Sequence, residues 1–308
     1  MMGNCQVRFL GEAGTATRRS LPDKTTGWSL SEDCRQITFT DKKGIGRVKM
    51  LGTRDLGFYS ADQIKRVRLI RRADGYFVQF AVKVDRTEVL EPSGSVVGLD
   101  VGLESFYTDS NGEKVPNPRF YRKGQQALRQ KQRRVSRKVK GSKNRAKARV
   151  RLAKKHLQIS RQRKDHAIKL ARCVISSNDV VVYENLRVRN MVKNHCLAKS
   201  INDAGWYQFR IWLEYFGKVF GRLTLAVEPA YTSQECSSCG VIVKKSLSTR
   251  THVCECGCEL DRDENAAINI LMKGIGMRGH LKTATRDVEN AWGELTSTLL
   301  GETLAEAS

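Results

Sequence analysis

Residues 236–240 read CSSCG and, thirteen residues further on, 254–270 read CECGCELDRDENAAINI, so a cysteine pattern suited to a metal ion runs directly into the acidic start of a helix. Cys236 and Cys239, with two residues between them, can turn both sulfurs toward one ion while Gly240 takes the strained backbone of the turn. In the second half Cys254, Cys256 and Cys258 compete for two places. Cys254 and Cys256 are taken as the ligands, because Gly257 follows Cys256 as Gly240 follows Cys239. Four sulfurs close the coordination sphere, so the expected zinc is structural, since a catalytic zinc keeps an open position. Beyond it, Asp263 falls in the first turn of a helix whose Ala266, Ala267 and Ile270 recur at i+3, i+4 and i+7 and seat one face on a core. Asp261 and Asp263 also suit a helix N-terminus simply through capping and the macrodipole.

Two further acids end apolar runs. Asp100 closes Val96-Val97-Gly98-Leu99, with Gly98 and Gly102 leaving room for a backbone or a phosphate to approach. Glu184 follows Val180-Val181-Val182-Tyr183, at the carboxyl edge of a strand buried on both faces, where ligands of open α/β sheets gather. Singly, each acid reads as a turn, a cap or a rim carboxylate, Glu184 pairing with Arg187 or Arg189. Together they stand on two strands and one helix that an α/β sheet brings side by side. Carboxylates so placed repel unless divalent cations neutralise them. Magnesium fits oxygen ligands, and a pair of ions about 4 Å apart would activate water for phosphodiester hydrolysis. No Ser-His-Asp arrangement and no GxxxxGKS or GxxxxGKT loop occurs, so a nucleoside triphosphate is not expected.

The bulk numbers point the same way. A chain of 308 residues with 40% hydrophobic content has the material for a core, and a net charge of +23 calls for an acidic polymer as partner. Nineteen Lys or Arg and no Asp or Glu lie between Arg122 and Lys164, which leaves only +4 for the rest of the chain. Apolar residues from Leu128 to Ile159 recur there at roughly helical spacing, so a pair of antiparallel helices broken at Gly141-Ser142 is expected to display a long basic face to nucleic acid. The chain has no 18-residue apolar run and no secretory layout at its N-terminus. Five of the nine cysteines cluster between Cys236 and Cys258, which suits metal thiolates in a reducing compartment, so no membrane partner and a cytoplasmic location are expected.

Elsewhere, residues 64–84 alternate around Asp74-Gly75 as a hairpin with a type I′ turn, and with Ile37 and Phe39 they make an N-terminal all-β unit. Val96–Asp100 and Ser105–Thr108 read as strands turning at Asn111-Gly112. His166–Ser176 and Trp206–Val219 read as helices, and Leu223–Val227 as a strand.

Four segments in this order, GLDVGLESFYTDSNGE (98–113), VVYENLRVRNMVKN (181–194), EPAYTSQECSSCG (228–240) and CELDRDENAAINIL (258–271), resemble the TnpB family, insertion-sequence-encoded RNA-guided DNA nucleases related to type V CRISPR effectors. The likeness runs from about residue 60 to 275. It implies an α/β fold: an RNase H-like (RuvC) nuclease domain over 95–229, carrying the basic helical hairpin 122–164, with an inserted zinc ribbon over 230–260 and a final RuvC segment over 261–278. A partial all-β, wedge-like domain over 1–90 precedes it and a polar tail over 279–308 follows. It also implies that Asp100, Glu184 and Asp263 are the catalytic, magnesium-binding acids. Asp263 is preferred to Asp261 because the family's acid stands two residues before the Asn of its DxNAA motif, here Asn265. The implied partners are a guide RNA and a target DNA, with Arg129, Arg133, Arg134, Arg137, Lys138, Arg145 and Arg149 as the candidate contacts. Roughly the first hundred residues of family members have no counterpart, so the chain is expected to be N-terminally truncated. A non-cleaving nucleic-acid-binding relative that accompanies its mobile element is the competing expectation.

Overall fold

A computed structural model describes residues 2–9 by backbone alone and residues 27–40, 44–52, 55–244, 246 and 249–276 in full. The expected tail at 279–308 lies outside the described residues. By chain position the fold divides into two compact units, Met1–Arg86 with Gln125–Ser160, and Thr87–Gly124 with Arg161–Ser308.

In the first unit, strands β1 (Met2–Phe9), β2 (Trp28–Leu30), β3 (Gln36–Phe39), β4 (Gly46–Lys49), β5 (Ile64–Arg72) and β6 (Gly75–Lys83) form two antiparallel three-stranded sheets, β1-β6-β5 and β2-β3-β4. Trp28, Ile37 and Phe39 of the second sheet share one core with Val67, Val78 and Phe80 of the first, as the period-2 alternation of β5 and β6 requires. The hairpin turn departs from expectation. Arg72 pairs with Gly75, so Ala73 and Asp74 are the central residues, and neither has positive φ. A type I′ turn would force both into that region against their Cβ atoms, so Gly75, at φ 147°, takes the unusual backbone as the first residue of β6.

The second unit is built on a mixed sheet of order β11-β10-β7-β8-β9, from β7 (Val96–Asp100), β8 (Ser105–Asp109), β9 (Lys114–Pro116), β10 (Val180–Glu184) and β11 (Leu223–Val227). β7, β8 and β9 form an antiparallel meander, and β10 runs parallel to both β7 and β11. Asn111-Gly112 turns β8 into β9 rather than β7 into β8. Asp109 Oδ1 accepts the N–H groups of Asn111 and Glu113 there, and β9 is too short and polar to announce itself.

Between β9 and β10 run helices α1 (Phe120–Ser136) and α2 (Lys143–Ser177). The break falls where expected: Gly141 has φ 83°, and Ser142 Oγ accepts the N–H of Arg145. The segment read as a separate helix at His166–Ser176 is the end of α2, because nothing from Lys143 to Ser177 is Gly or Pro. Of the apolar residues in the basic region, Leu128, Val135 and Ile159 are buried, while Val139 and Val150 are exposed. Helices α3 (Val188–Met191), α4 (Ala198–Ala204) and α5 (Trp206–Phe220) follow β10, and β12 (Thr251–Val253), β13 (Glu259–Asp261) and α6 (Arg262–Gly274) close the described chain.

The two sheet faces are covered differently, and this decides where the acids point. Val97, Leu99, Val181 and Tyr183 face a core shared with Ala171 and Ile175 of α2 and with Phe209 and Leu213 of α5. Val180 and Val182 face the other way, against Ile270 of α6. Gly98 lies on that second face, where a Cβ would run into the Ala267 carbonyl and stand 2.8 Å from the Leu271 nitrogen. The glycine therefore admits the helix backbone, not a phosphate.

Candidate active site

Side chains alternate along a strand, so Asp100 continues the face of Val96 and Gly98, and Glu184 the face of Val180 and Val182. Both carboxylates therefore emerge on the α6 side. Tyr183 pairs with Leu99 across the parallel ladder, which makes Glu184 and Asp100 the next pair in register at the carboxyl ends of neighbouring strands. α6 packs on β7, β8, β10 and β11, with Asp263 in its first turn. Burial holds the Asp100 carboxyl well above the usual carboxylate range, and the negative charges of Glu184 and Asp263 push it further, against the pull of Arg262. Burial raises Glu184 too, opposed by a hydrogen bond from Thr232 and by the charge of Lys273.

The two aspartates at the helix start play different parts. Asp261 is the N-cap, accepting from the N–H groups of Asp263 and Glu264, and it pairs with Lys114 at 2.7 Å. Asp263 is left to its side-chain neighbours, with Oδ1 3.0 Å from Arg262 Nη2 and Oδ2 3.6 Å from Arg250 Nη1. Among the described residues, two groups bring three or more ligand atoms all within 4.8 Å of one another, and the acid triad is not one of them.

One of the two compact groups is Cys236, Cys239, Cys254 and Cys256, the four residues the glycine argument selected. Each knuckle closes onto its first cysteine through a glycine at positive φ, over four residues in one and three in the other: Gly240 N–H donates to the Cys236 carbonyl at 2.9 Å and Gly257 N–H to the Cys254 carbonyl at 3.0 Å. Cys258 belongs to the other group, with Cys236 and His252. Burial alone would raise the Cys236 thiol, yet the N–H groups of Cys239 and Ser238 bring it down to about 5. Cys256 goes the other way, to about 12, because contacts with Cys239, Cys254 and Cys236 outweigh the N–H of Cys258. Four thiols so close cannot all ionise unaided, so the donor set fits a cation.

A set of buried amides joins the two places. Asn265 and Asn269, one turn apart on α6, are 0% and 6% exposed. Asn265 Nδ2 donates to the Glu235 carbonyl at 2.8 Å, and its Oδ1 accepts the Ser237 N–H at 3.0 Å. Asn269 Nδ2 donates to the carbonyls of Thr232 at 2.8 Å and Glu235 at 2.6 Å. Thr232 Oγ1 in turn donates to Glu184 Oε1 at 2.5 Å. The YTSQ lead-in carries no chemistry in its sequence, so Thr232 escapes a reading by motif. The asparagines leave a faint signal, two amides one turn apart in a helix start otherwise rich in Ala and Ile. Of the candidate nucleic-acid contacts, Arg129, Arg133, Arg134, Arg137, Lys138 and Arg149 are exposed, and Arg145 is half-buried, its Nη1 near the Lys138 carbonyl at 3.4 Å.

Two family models match the chain, one described as "Probable transposase" over residues 79–195 and one described as "Cas12f1-like, TNB domain" over residues 206–270. A relative from Streptomyces pristinaespiralis named "Putative RNA-guided DNA endonuclease" is 40% identical over 206 residues, covering 66% of this chain and 51% of its own length. The chain belongs to the TnpB family. A second relative, "Putative RNA-guided DNA endonuclease InsQ" of Escherichia coli (strain K12), is 33% identical over 228 residues, covering 68% of this chain and 57% of its own length. This TnpB-family chain thus spans about half the length of the curated relatives it matches. A solved complex titled "Cryo-EM structure of the Cas12f1-sgRNA-target DNA complex" aligns at a TM-score of 0.44 and 14% identity, covering 86% of this chain and 69% of that one, too loosely to carry an argument.

Proposed function

We propose that this TnpB-family protein is a magnesium-dependent, RNA-guided DNA endonuclease with an RNase H-like (RuvC) nuclease fold. The observation that carries the reading is the placement of Asp100 and Glu184 at adjacent carboxyl ends of parallel strands, on the face covered by the helix that bears Asp263. An acid whose ionisation is opposed by two like charges is a site built to be completed by cations. The mixed sheet, a three-stranded meander extended by two parallel strands, supports the RNase H-like reading.

In this reading Asp100, Glu184 and Asp263 hold magnesium. When bound, magnesium supplies Lewis acidity, making water a nucleophile at neutral pH and offsetting the charge that builds on the phosphate. Asp100 must then stay ionised against its surroundings, Thr232 fixes one Glu184 oxygen, and Asp261 holds the start of α6 so that Asp263 keeps its place. The four cysteines hold a structural zinc, as thiolates that a reducing cytoplasm would preserve. The exposed arginines of α1 and α2 contact a guide RNA paired with a target strand through the sugar-phosphate backbone, which needs no sequence knowledge.

The test is direct. Purified protein with Mg²⁺ and its cognate RNA should cut matched DNA, and Asp100→Ala should abolish cutting while leaving nucleic-acid binding. Binding with no Mg²⁺-dependent product from the unaltered protein would instead identify a non-cleaving relative.

A further inference from the structure

Thr232 has no part in the acid triad and none in the cysteine cluster, yet its hydroxyl reaches one of the acids and its carbonyl is held by Asn269, which also holds the Glu235 carbonyl beside Cys236. It is 3% exposed, and its hydroxyl donates to Glu184 Oε1 at 2.5 Å, with the Pro229 carbonyl a distant alternative acceptor at 3.4 Å. That short contact to a carboxylate belongs to the stronger, charge-assisted class of hydrogen bond. The peptide that carries it is not free to drift. Asn269 holds the Thr232 carbonyl, both asparagines hold the Glu235 carbonyl, and Asn265 holds the Ser237 N–H. Cys236 lies inside this pinned stretch, and α6, which supplies both asparagines, also supplies Asp263.

We propose that Thr232 is a positioning residue for Glu184: its hydroxyl fixes one carboxylate oxygen in orientation, and the asparagine-pinned peptide from Thr232 to Ser237 passes the order of the cysteine cluster to the acid site. The inference rests on the acid site proposed above and goes beyond it by assigning a role outside the three acids. A carboxylate with two free oxygens samples rotamers on its own. One oxygen held by a buried hydroxyl leaves the other aimed at a single place, and outer partners of this kind are worth about 10- to 100-fold in metal affinity or rate.

The experiment uses the full-length protein and three forms, unaltered, Thr232→Val and Thr232→Ser. Val keeps the shape of Thr and removes the hydroxyl, so the fold should survive, which thermal melting checks. Mn²⁺ affinity is measured by calorimetry as a probe of the acid site, and single-turnover DNA cleavage and DNA binding are measured alongside it. The expected result is about a tenfold or greater loss of Mn²⁺ affinity in Thr232→Val with DNA binding unchanged, and recovery to within about threefold in Thr232→Ser. Mn²⁺ affinity equal in the Val and unaltered forms would overturn the assignment, and so would a Ser form as impaired as the Val form, which would make the methyl group the important part. An unaltered protein that binds Mn²⁺ but cuts nothing would sink the nuclease reading alone, while the affinity ratio still judges Thr232.

Discussion

At the scale of single residues, the site is a set of charges held where they oppose one another. Asp100 titrates well above the ordinary carboxylate value because ionising it means placing charge in a poorly solvated spot beside Glu184 and Asp263. The native state therefore holds its proton more tightly than the unfolded chain does. Without metal, stability is greatest at acid pH with respect to this group, and it falls as pH rises from the ordinary carboxylate value through the raised one. Asp100→Asn should accordingly raise the melting temperature of the metal-free protein at neutral pH, by roughly 2–4 °C per kcal/mol relieved, and should flatten its fall with pH. Differential scanning fluorimetry across pH 5 to 8 in chelator checks this, and a lower melting temperature in Asp100→Asn would contradict it. Gly98 carries a prediction of the opposite kind. Its missing Cβ is the space through which the Ala267–Leu271 backbone approaches β7, so Gly98→Ala should cost about 3 kcal/mol by overpacking, read from urea unfolding, and should reduce cleavage by shifting Asp263 against Asp100. These roles were only partly legible in the chain. The three proposed acids stand out because each ends an apolar run or opens a helix, whereas Thr232 acts through a side-chain contact to Glu184 and the paired asparagines through backbone groups, all distant in sequence, which no local pattern records.

At the scale of elements, the sequence was most readable where periodicity is strong. β7, β10, α5 and α6 fall where their apolar spacing puts them because each packs apolar residues into a core, and β11 follows with Leu223, Leu225 and Val227 partly buried. One error is a helix read as two, at His166–Ser176 in α2, and two others sit at turns. Asp74-Gly75 and Asn111-Gly112 are true turn signals attached to the wrong register or the wrong strand pair, since a glycine announces unusual backbone without saying which residue of the turn will use it. In the cysteine elements the signal is a glycine after Cys239 and another after Cys256, each closing a loop onto the carbonyl of an earlier cysteine, and on that ground the proposed zinc set takes Cys256 over Cys258. Zinc content follows from that choice. Cys239→Ser should lower bound zinc well below one per chain and depress the melting temperature, while Cys258→Ser should keep one zinc per chain, as elemental analysis after dialysis would show. Equal loss in the two variants would move the site toward the group of Cys236, His252 and Cys258.

At the scale of the whole molecule, charge is the dominant property. Nineteen basic residues between Arg122 and Lys164 face no acid in the same stretch, and six of the seven candidate contacts are exposed. Binding to nucleic acid should therefore weaken steeply with salt through counterion release, and each neutralised phosphate contact should lower the slope of log affinity against log salt by about 1. Arg133→Gln with Arg137→Gln should lower it by about 2, measured by fluorescence anisotropy between 50 and 300 mM salt, with little change in which sequences are bound. An unchanged slope would remove α1 from the contact surface.

The amide bonds between α6 and the Thr232–Ser237 peptide limit how this protein can be re-engineered. A cysteine module from a distant homologue whose lead-in peptide ran differently would misplace the carbonyls that Asn265 and Asn269 hold, and without a hydroxyl at position 232 it would leave Glu184 untethered. A graft that respects the fold would take its splice points before Thr232 and after Asn269, moving the first turns of the last helix together with the loop it grips.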